Sequence, residues 1–520
     1  MKIVTDKCID LIETILKKYE VEGSPRYYCN NYDYKTEKIR NIDDLLLPDI
    51  ILWDPMSQLQ MEFHCPHCFE DKSIKSPLTC SSEWTRAQTN SMYPRSIWDM
   101  NWFFIIVGKI YTCSNHHRII SYHAGILQQA PEFEVPFVLT HDSGMTRKLH
   151  DFTVRLVESG ISFNSIQLVI KENILDEYMR QKIRFSRNFP LIQDSFKTLS
   201  PSVSTLINVF VVFIQRLRSL YERHFRSINF TSLSLDHTFK VASNIGYKNG
   251  KTWVKQYDSI LVILNEIGLV KKFQFTKGTS LENTKSLLDE LAIENPSPEF
   301  ICVDNCCHVR NILLSVFPTA AIKLDIFHAV KRLTQHMPKR HPFFFEASKQ
   351  IGLIFRDKLD FSEKRAVTTP SAKIILENLD PYFLKWKDVH NDGWKLINSQ
   401  VEDEFRKIRV HIENNCLSGI PVGVGTNRNE ALHKFMGQFG RSRLSVQTAY
   451  ALINHILYSA NVKKQGAKIV PPIWSQYEDD NSAKKNETVQ IQAMMNIGML
   501  QEFENIDETT DHCFSSISGQ

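Results

Sequence analysis

SLSLDHTFKVA (residues 232–242) alternates serine and leucine as a half-buried β-strand does, then sets a carboxylate, Asp236, in mid-strand. His237 and Thr238 follow at once, and Phe239 and Val241 resume the alternation. A carboxylate buried without partners is costly, so this stretch demands partners elsewhere in the chain.

Reading outward supplies them. WVKQYDSILVILNEIG (253–268) and VKKFQFTK (270–277) have strand patterns. LENTKSLLDELA (281–292) has leucines 287, 288 and 291 on one helical face, with Ser280 as its N-cap. EFICVD (299–304) is a short apolar strand ending at Asp304. The helix HVRNILLSVF (308–317), the breaker Pro318 and the strand AAIKLD (320–325), ending at Asp325, complete the series. Three strands, a helix, a strand, a helix and a strand is the order of an RNase H-like α/β core. In such a sheet Asp236 on the first strand lies beside Asp304 at the end of the fourth. Two carboxylates so placed suit Mg²⁺ or Mn²⁺, hard cations that take oxygen ligands and drive phosphoryl transfer in pairs about 4 Å apart. Asp325 competes for the same role and is the weaker candidate.

These residues carry a family resemblance. LDHTFKV resembles the D-x-T-F-K signature around the first catalytic aspartate of Mutator-like DDE transposases. VDNCCHVRNILLSVFPTAAIKLDIFH (303–328) is similar to the block with their second aspartate, and its end, Asp325 to His328, looks like the C/D-x-x-H element. VGTNRNEALHKFMGQFG (424–440) resembles the T-N-x-x-E segment that opens the helix with the third acid. The resemblance covers about 231–460. It implies catalytic metal ligands at Asp236, Asp304 and Glu430, supporting roles for Asp325 and His328, and a helical insertion at about 330–425. Two features depart from the pattern: His237 replaces a small residue, and Cys306-Cys307 follow the second aspartate.

A second constellation lies upstream. HCPHC (64–68) gives Cys65 and Cys68 at C-x2-C spacing, and YTCSNHH (111–117) gives Cys113 with His116 at x2 and His117 at x3. Three Cys and one His make a tetrahedral donor set that zinc favours. Equal spacing of the two knuckles favours His116, with His117 the alternative and Cys80 and His64 in reserve. Four protein ligands leave no open position, which makes the zinc structural. With LLPDIILWDP (46–55) before it and YPRSIWDMNWFF between its knuckles, the arrangement resembles a zinc-binding domain found upstream of transposase-like domains.

The 520 residues exceed one ordinary domain, and an apolar content of 42% supports large cores. The expected organisation is multidomain, α+β overall: a β-rich zinc module at 1–135, a helical region at 140–230, the α/β core at 231–460 and an acidic tail at 471–520. Eleven scattered cysteines fit a reducing compartment with a metal site better than a disulfide framework. The apolar runs WFFIIVG (102–108) and INVFVVFI (207–214) fall well short of a membrane span, which needs about 20 residues.

Local charge points to DNA. Residues 141–230 hold 13 Lys/Arg against 8 Asp/Glu, a net +5, while the whole chain is only +4. Within them, 147–179 reads as two helices broken at Ser-Gly-Ile-Ser (159–162), a helix-turn-helix layout. Arg147, Lys148 and Lys171 here, and Arg441 and Arg443 after the Glu430 helix, are the candidate DNA contacts. The expected function is a nuclear DDE transposase, or a protein derived from one, working on double-stranded DNA as a dimer or higher oligomer, with no membrane partner. Its alternatives are a catalytically silent DNA-binding zinc protein and a structure-specific nuclease of the same fold.

Overall fold

The computed structural model describes residues 6–22, 48–72, 75–85, 93–131, 134–141, 143–186, 200–355, 368–391, 393–421, 425, 427–439 and 443–466. It divides into two compact units, one built on the chain up to Ser219 and one on Leu220–Ile469. The zinc module and most of the helical region read in the sequence therefore fall in the first unit. The core expected at 231–460 falls in the second. The expected acidic tail lies outside the described residues.

The first unit contains α1 (Asp6–Glu22), β1 (Asp49–Trp53), α2 (Pro55–Leu59), α3 (Pro66–Lys72), β2 (Leu78–Trp84), β3 (Arg95–Trp98), β4 (Phe103–Cys113), β5 (Arg118–Ile120), α4 (Ala124–Leu127), β6 (Phe137–Leu139) and β7 (Gly144–Thr146). Its sheet runs β1-β4-β3-β7-β6, with β2 and β5 also paired to β4. The long strand β4 is nearly all apolar because both its faces are covered. Ile105 and Val107 pack with Cys8, Ile12 and Leu16 of α1. Ile106 and Tyr111 pack on the other side, in the cluster that holds Cys65, Cys68 and Cys113.

The helices α5 (Arg147–Glu158), α6 (Phe163–Ser186) and α7 (Val203–Arg216) complete this unit, and α8 (Arg218–Ser227) runs across the boundary. The break expected at 159–162 is present. Gly160 takes φ +81° at the C′ position, where its N–H bonds to Val157 O and the N–H of Ile161 bonds to Leu156 O. That is a Schellman stop, which glycine enters without the Cβ penalty. Ser162 then caps α6 by accepting from the N–H of Ser165 at 3.2 Å.

The second unit begins with β8 (Ser232–Thr238), β9 (Gly246–Asn249), β10 (Thr252–Lys255), β11 (Ser259–Asn265) and β12 (Val270–Thr276). It continues with α9 (Lys285–Glu294), β13 (Phe300–Val303), α10 (Cys306–Val316), β14 (Ala321–Leu324) and α11 (Ile326–Thr334). The mixed five-stranded sheet is ordered β12-β11-β8-β13-β14. β8, β11 and β12 are antiparallel neighbours, while β8, β13 and β14 run parallel. The crossovers through α9 and α10 are what parallel neighbours require.

Two readings shift. The stretch 253–268 is not one strand: Thr252–Lys255 folds back on Gly246–Asn249 as a hairpin, and the central strand starts only at Ser259. The Asn249-Gly250 dipeptide, with Gly250 at φ +57°, marks that hairpin. Likewise β8 ends at Thr238, and Phe239 is exposed.

After α11 come α12 (Phe344–Ile354), α13 (Ala372–Trp386), α14 (Ser399–Glu413), α15 (Asn427–Phe439) and α16 (Val446–Lys464). Ile351 of α12, Leu379 of α13 and Ile408 of α14 join Leu233, Leu235 and Ile301 of the sheet in one continuous apolar cluster. The helical insertion is thus part of the sheet's own core.

Candidate metal and acid-cluster sites

Strand register builds the acid cluster. On β8, Leu233 and Leu235 face the apolar cluster shared with the insertion, so Ser232, Ser234 and Asp236 share the opposite face. β8 and β13 are parallel, with Val303 opposite Leu235. The next residue on each chain is a carboxylate: Asp236, 5% exposed, and Asp304.

Helix α15 lies over the serine face of β8. Asn429, fully buried, accepts from Ser234 Oγ at 2.9 Å and donates through Nδ2 to Val262 O at 3.1 Å. Arg428 donates to Glu266 O at 2.6 Å. These bonds pin the first turn of α15 to β8 and β11 and so fix Glu430, half-exposed at the edge of the cluster. Asn429→Ala would leave the buried Ser234 hydroxyl without its acceptor and remove the side-chain donor to Val262 O, and should lower folding stability by about 2 kcal/mol in denaturant titration. A loss near zero would mean that water replaces both bonds.

A histidine joins the acids. The ligating atoms of Asp236, Asp304 and His328 all lie within 4.8 Å of one another. His328 Nδ1 is 3.3 Å from Asp304 Oδ2, and its Nε2 is 3.7 Å from Glu430 Oε1. Asp325 has a different task. It caps α11, its Oδ2 accepting from the N–H of His328 at 2.9 Å, so it orients the helix that presents His328. The placement of three side chains at this cluster escaped the sequence reading. His433, one turn after Glu430, puts Nδ1 3.6 Å from Asp236 Oδ2; the E-x-x-H spacing on one helix face was its signal. Lys331 stands 3.6 Å from Glu430 Oε1, and Arg332 donates to Asp304 O at 2.5 Å; both follow His328 by one turn.

His237 is directed elsewhere. Its Nδ1 meets Ser259 Oγ at 3.0 Å, and Ser259 also meets Thr276. It belongs to the strand-to-strand network, not to the acid cluster.

The electrostatics leave the cluster short of positive charge. Burial, and then the negative charges of Asp304 and Glu430, push the Asp236 carboxyl up to about 8. Burial also raises Asp304, against the pull of His328. Burial holds His433 down at about 4, so the imidazole beside Asp236 is neutral at pH 7 and gives no compensating charge. Asp304 Oδ1 is buried with no hydrogen-bond partner. A donor set of carboxylate oxygens with one imidazole, an orphaned buried oxygen among them, fits a divalent cation.

In the first unit, Cys65, Cys68, Cys113 and His117 bring their ligating atoms together. Sγ of Cys68 and Cys113 are 3.8 Å apart, and His117 Nδ1 is 3.5, 3.4 and 3.6 Å from Cys65, Cys68 and Cys113 Sγ. A zinc tetrahedron has S–S edges of about 3.8 Å and S–N edges of about 3.6 Å, given its bond lengths. The cluster can hold a metal such as zinc. Its histidine is His117, not His116 as equal spacing favoured. His116 sits at φ +60° and is exposed, its N–H closing the turn onto Cys113 O. That left-handed residue consumes one position, so the next imidazole faces the thiols. Asn115 donates to Cys68 Sγ at 3.2 Å, a supporting contact of the kind that tunes metal thiolates. Burial pushes Cys65 up to about 12. At Cys113 burial also pushes upward, but backbone N–H bonds from His117 and Asn115 outweigh it and hold that thiol near 7. Cys80 is exposed and outside the cluster.

The candidate DNA contacts differ among themselves. Arg147 is spent internally, 3.2 Å from Asp151 and stacked over Phe213. Lys148 is exposed and Lys171 half-buried. Arg443 is exposed and lies over the Trp253 ring. Arg441 lies outside the described residues.

No family model matches the chain, and no curated protein matches it. Among solved structures it is similar to a chain of the Drosophila P element transposase strand transfer complex, with a TM-score of 0.29 and 12% identity, covering 62% of this chain and 97% of that one.

Proposed function

We propose that this chain is a DDE-type transposase of the Mutator-like kind, or a protein derived from one. Its second unit is an RNase H-like core that cuts DNA phosphodiesters, with Mg²⁺ or Mn²⁺ held by Asp236, Asp304 and Glu430. The observation that carries this reading is the register of β8 and β13, which sets two carboxylates side by side at one end of the sheet. Held by those three carboxylates, divalent ions would supply the Lewis acidity that an attacking water or 3′-hydroxyl and a leaving oxygen need.

The chain's own residues do the rest. Strands hold Asp236 and Asp304 more rigidly than loops would. Asn429 fixes the turn that presents Glu430, and Asp325 fixes the helix that presents His328. His328 stands between Asp304 and Glu430, its ring nitrogens 3.3 Å from one carboxylate and 3.7 Å from the other, and so helps space the two acids. Lys331 at the rim is placed to meet a DNA phosphate. The first unit, with zinc on Cys65, Cys68, Cys113 and His117, serves DNA recognition and subunit pairing through Lys148 and Lys171, and Arg443 adds a contact near the cutting site. Joining two DNA ends calls for a dimer or larger assembly working in the nucleus.

The test is nicking of supercoiled DNA. The purified chain should convert it to the open circle with Mg²⁺ or Mn²⁺ and leave it intact with chelator. A protein that binds the DNA yet leaves it uncut in both metals would overturn the enzyme reading and favour the silent DNA-binding alternative.

A further inference from the structure

The second unit holds another thiol–imidazole cluster that plays no part in the acid site. Cys306 and Cys307 open α10 directly after the Asp304-Asn305 turn, His411 lies in the last turn of α14, and Cys416 lies just beyond that helix. More than a hundred residues separate the two halves, yet all four ligating atoms lie within 4.8 Å of one another. Sγ of Cys306 and Cys307 are 3.8 Å apart, and those of Cys307 and Cys416 are 3.7 Å apart. His411 Nδ1 is 3.7 Å from Cys306 Sγ and 3.2 Å from Cys307 Sγ. Disulfide sulfurs would sit about 2 Å apart. The separations are instead the edges of a zinc tetrahedron, about 3.8 Å and 3.6 Å, and they match those of the cluster in the first unit.

The backbone is shaped to bring the halves together. Asn415 turns through φ +56° after α14, and Cys416 O then accepts from the N–H of Leu324 on β14 at 2.9 Å. Lys323 clamps the same turn, donating to Asn415 O at 2.9 Å and Ser418 O at 2.8 Å. Arg310 donates to Cys416 Sγ at 3.2 Å. Three thiolates, one neutral imidazole and a divalent ion sum to one negative charge, which that guanidinium balances, and the N-terminus of α10 favours thiolates as well.

We infer that Cys306, Cys307, His411 and Cys416 form a second structural metal site, taking zinc, that clasps the helical insertion to the strand end carrying Asp304. Cys306 and Cys416 are fully buried and the ligand set is complete, so the site is closed to catalysis. A chain that never cuts DNA would still carry this metal, so its test is separate from that of the DNA-cleavage reading.

The test is zinc per chain, by mass spectrometry of the full-length protein purified without added metal. Two equivalents are expected, falling to one in Cys416→Ser, to one in Cys68→Ser and to none in the double variant. His411→Cys keeps a four-thiolate tetrahedron and should retain both equivalents, while His411→Ala loses one. Should Cys416→Ser not fold, Co²⁺ loaded into Cys68→Ser chain decides: the second site alone must then give thiolate-to-cobalt charge transfer and the ligand-field bands of a four-coordinate ion. One equivalent in the wild type that Cys68→Ser removes completely, or a Cys68→Ser chain without those bands, would overturn the inference.

Discussion

Asp236→Asn should abolish DNA cutting and at the same time stabilise the metal-free protein at alkaline pH. Both effects come from one buried oxygen. On the proposed reading the carboxylate is a metal ligand in a two-ion site and would act on the transition state, and the amide removes its charge without changing its shape. Nicking should fall by at least about 10³-fold. Without metal the same charge is a burden, because burial beside Asp304 and Glu430 raises its pKa from 3.8 to about 8. Below about pH 4 both the folded and the unfolded chain keep the proton, so substitution changes little. Between about pH 4 and 8 the unfolded chain releases a proton that the folded chain retains, and wild-type stability falls as pH rises. Above about pH 8 the whole cost remains. At about 1.4 kcal/mol per pH unit the ceiling is on the order of 5 kcal/mol, of which relaxation and water entry recover part. Denaturant titration without added Mg²⁺ or Mn²⁺ at pH 5 and pH 8.5 reads this directly, with the larger gain expected at 8.5. Adding Mn²⁺ should stabilise the wild type, by about 2.7 kcal/mol at a hundred times the dissociation constant, and leave the variant behind. Full cutting by Asp236→Asn, or no gain at pH 8.5, would remove Asp236 from the metal set.

Much of this site was legible because it follows from register. The strand series located Asp236 and Asp304 on neighbouring parallel strands, and adjacency then follows from the pleat. What stayed hidden was what covers the polar face of β8. Ser232 and Ser234 suggest a strand half open to water, yet both are buried, because α15, nearly 200 residues later, supplies Asn429 to the serine at 234. A polar face satisfied by a distant side chain has the same local pattern as one satisfied by water. His433 and Lys331 were hidden for a related reason, since each is meaningful only once its helix has been placed against Asp236 or Glu430. The adjacent cysteines 306 and 307 looked like a departure from a motif, and only the fold brings His411 and Cys416 to them. The choice between His116 and His117 failed on one backbone angle: equal knuckle spacing assumes equal turns, and a left-handed residue breaks that assumption.

That angle sets up the sharpest contrast between neighbouring residues. His117→Ala should remove one metal equivalent from the chain and unfold the first unit, whereas His116→Asn should do neither. Structural zinc binds thiolate–imidazole sets with apparent free energies of about 10–16 kcal/mol at neutral pH, comparable to the whole stability of a domain, about 5–15 kcal/mol. The thiols concerned are not peripheral. Cys65, Cys68 and Cys113 are buried among Trp53, Phe63 and Tyr111, so losing the ion from His117→Ala leaves three thiols in an apolar core with nothing to bind them. The exposed His116 ring is outside the ligand cluster, its backbone N–H to Cys113 O survives the substitution, and asparagine tolerates the left-handed region that residue 116 occupies. Zinc analysis and thermal unfolding of the full chain give the readout. Trp53, Trp84, Trp98 and Trp102 all lie in the first unit, so fluorescence should report its transition moving sharply down in His117→Ala and staying put in His116→Asn. The reverse pattern would return the ligand to His116. Loss in neither variant would mean that the three thiols hold the metal without an imidazole, or that the first unit folds without metal, and the zinc count separates those two outcomes.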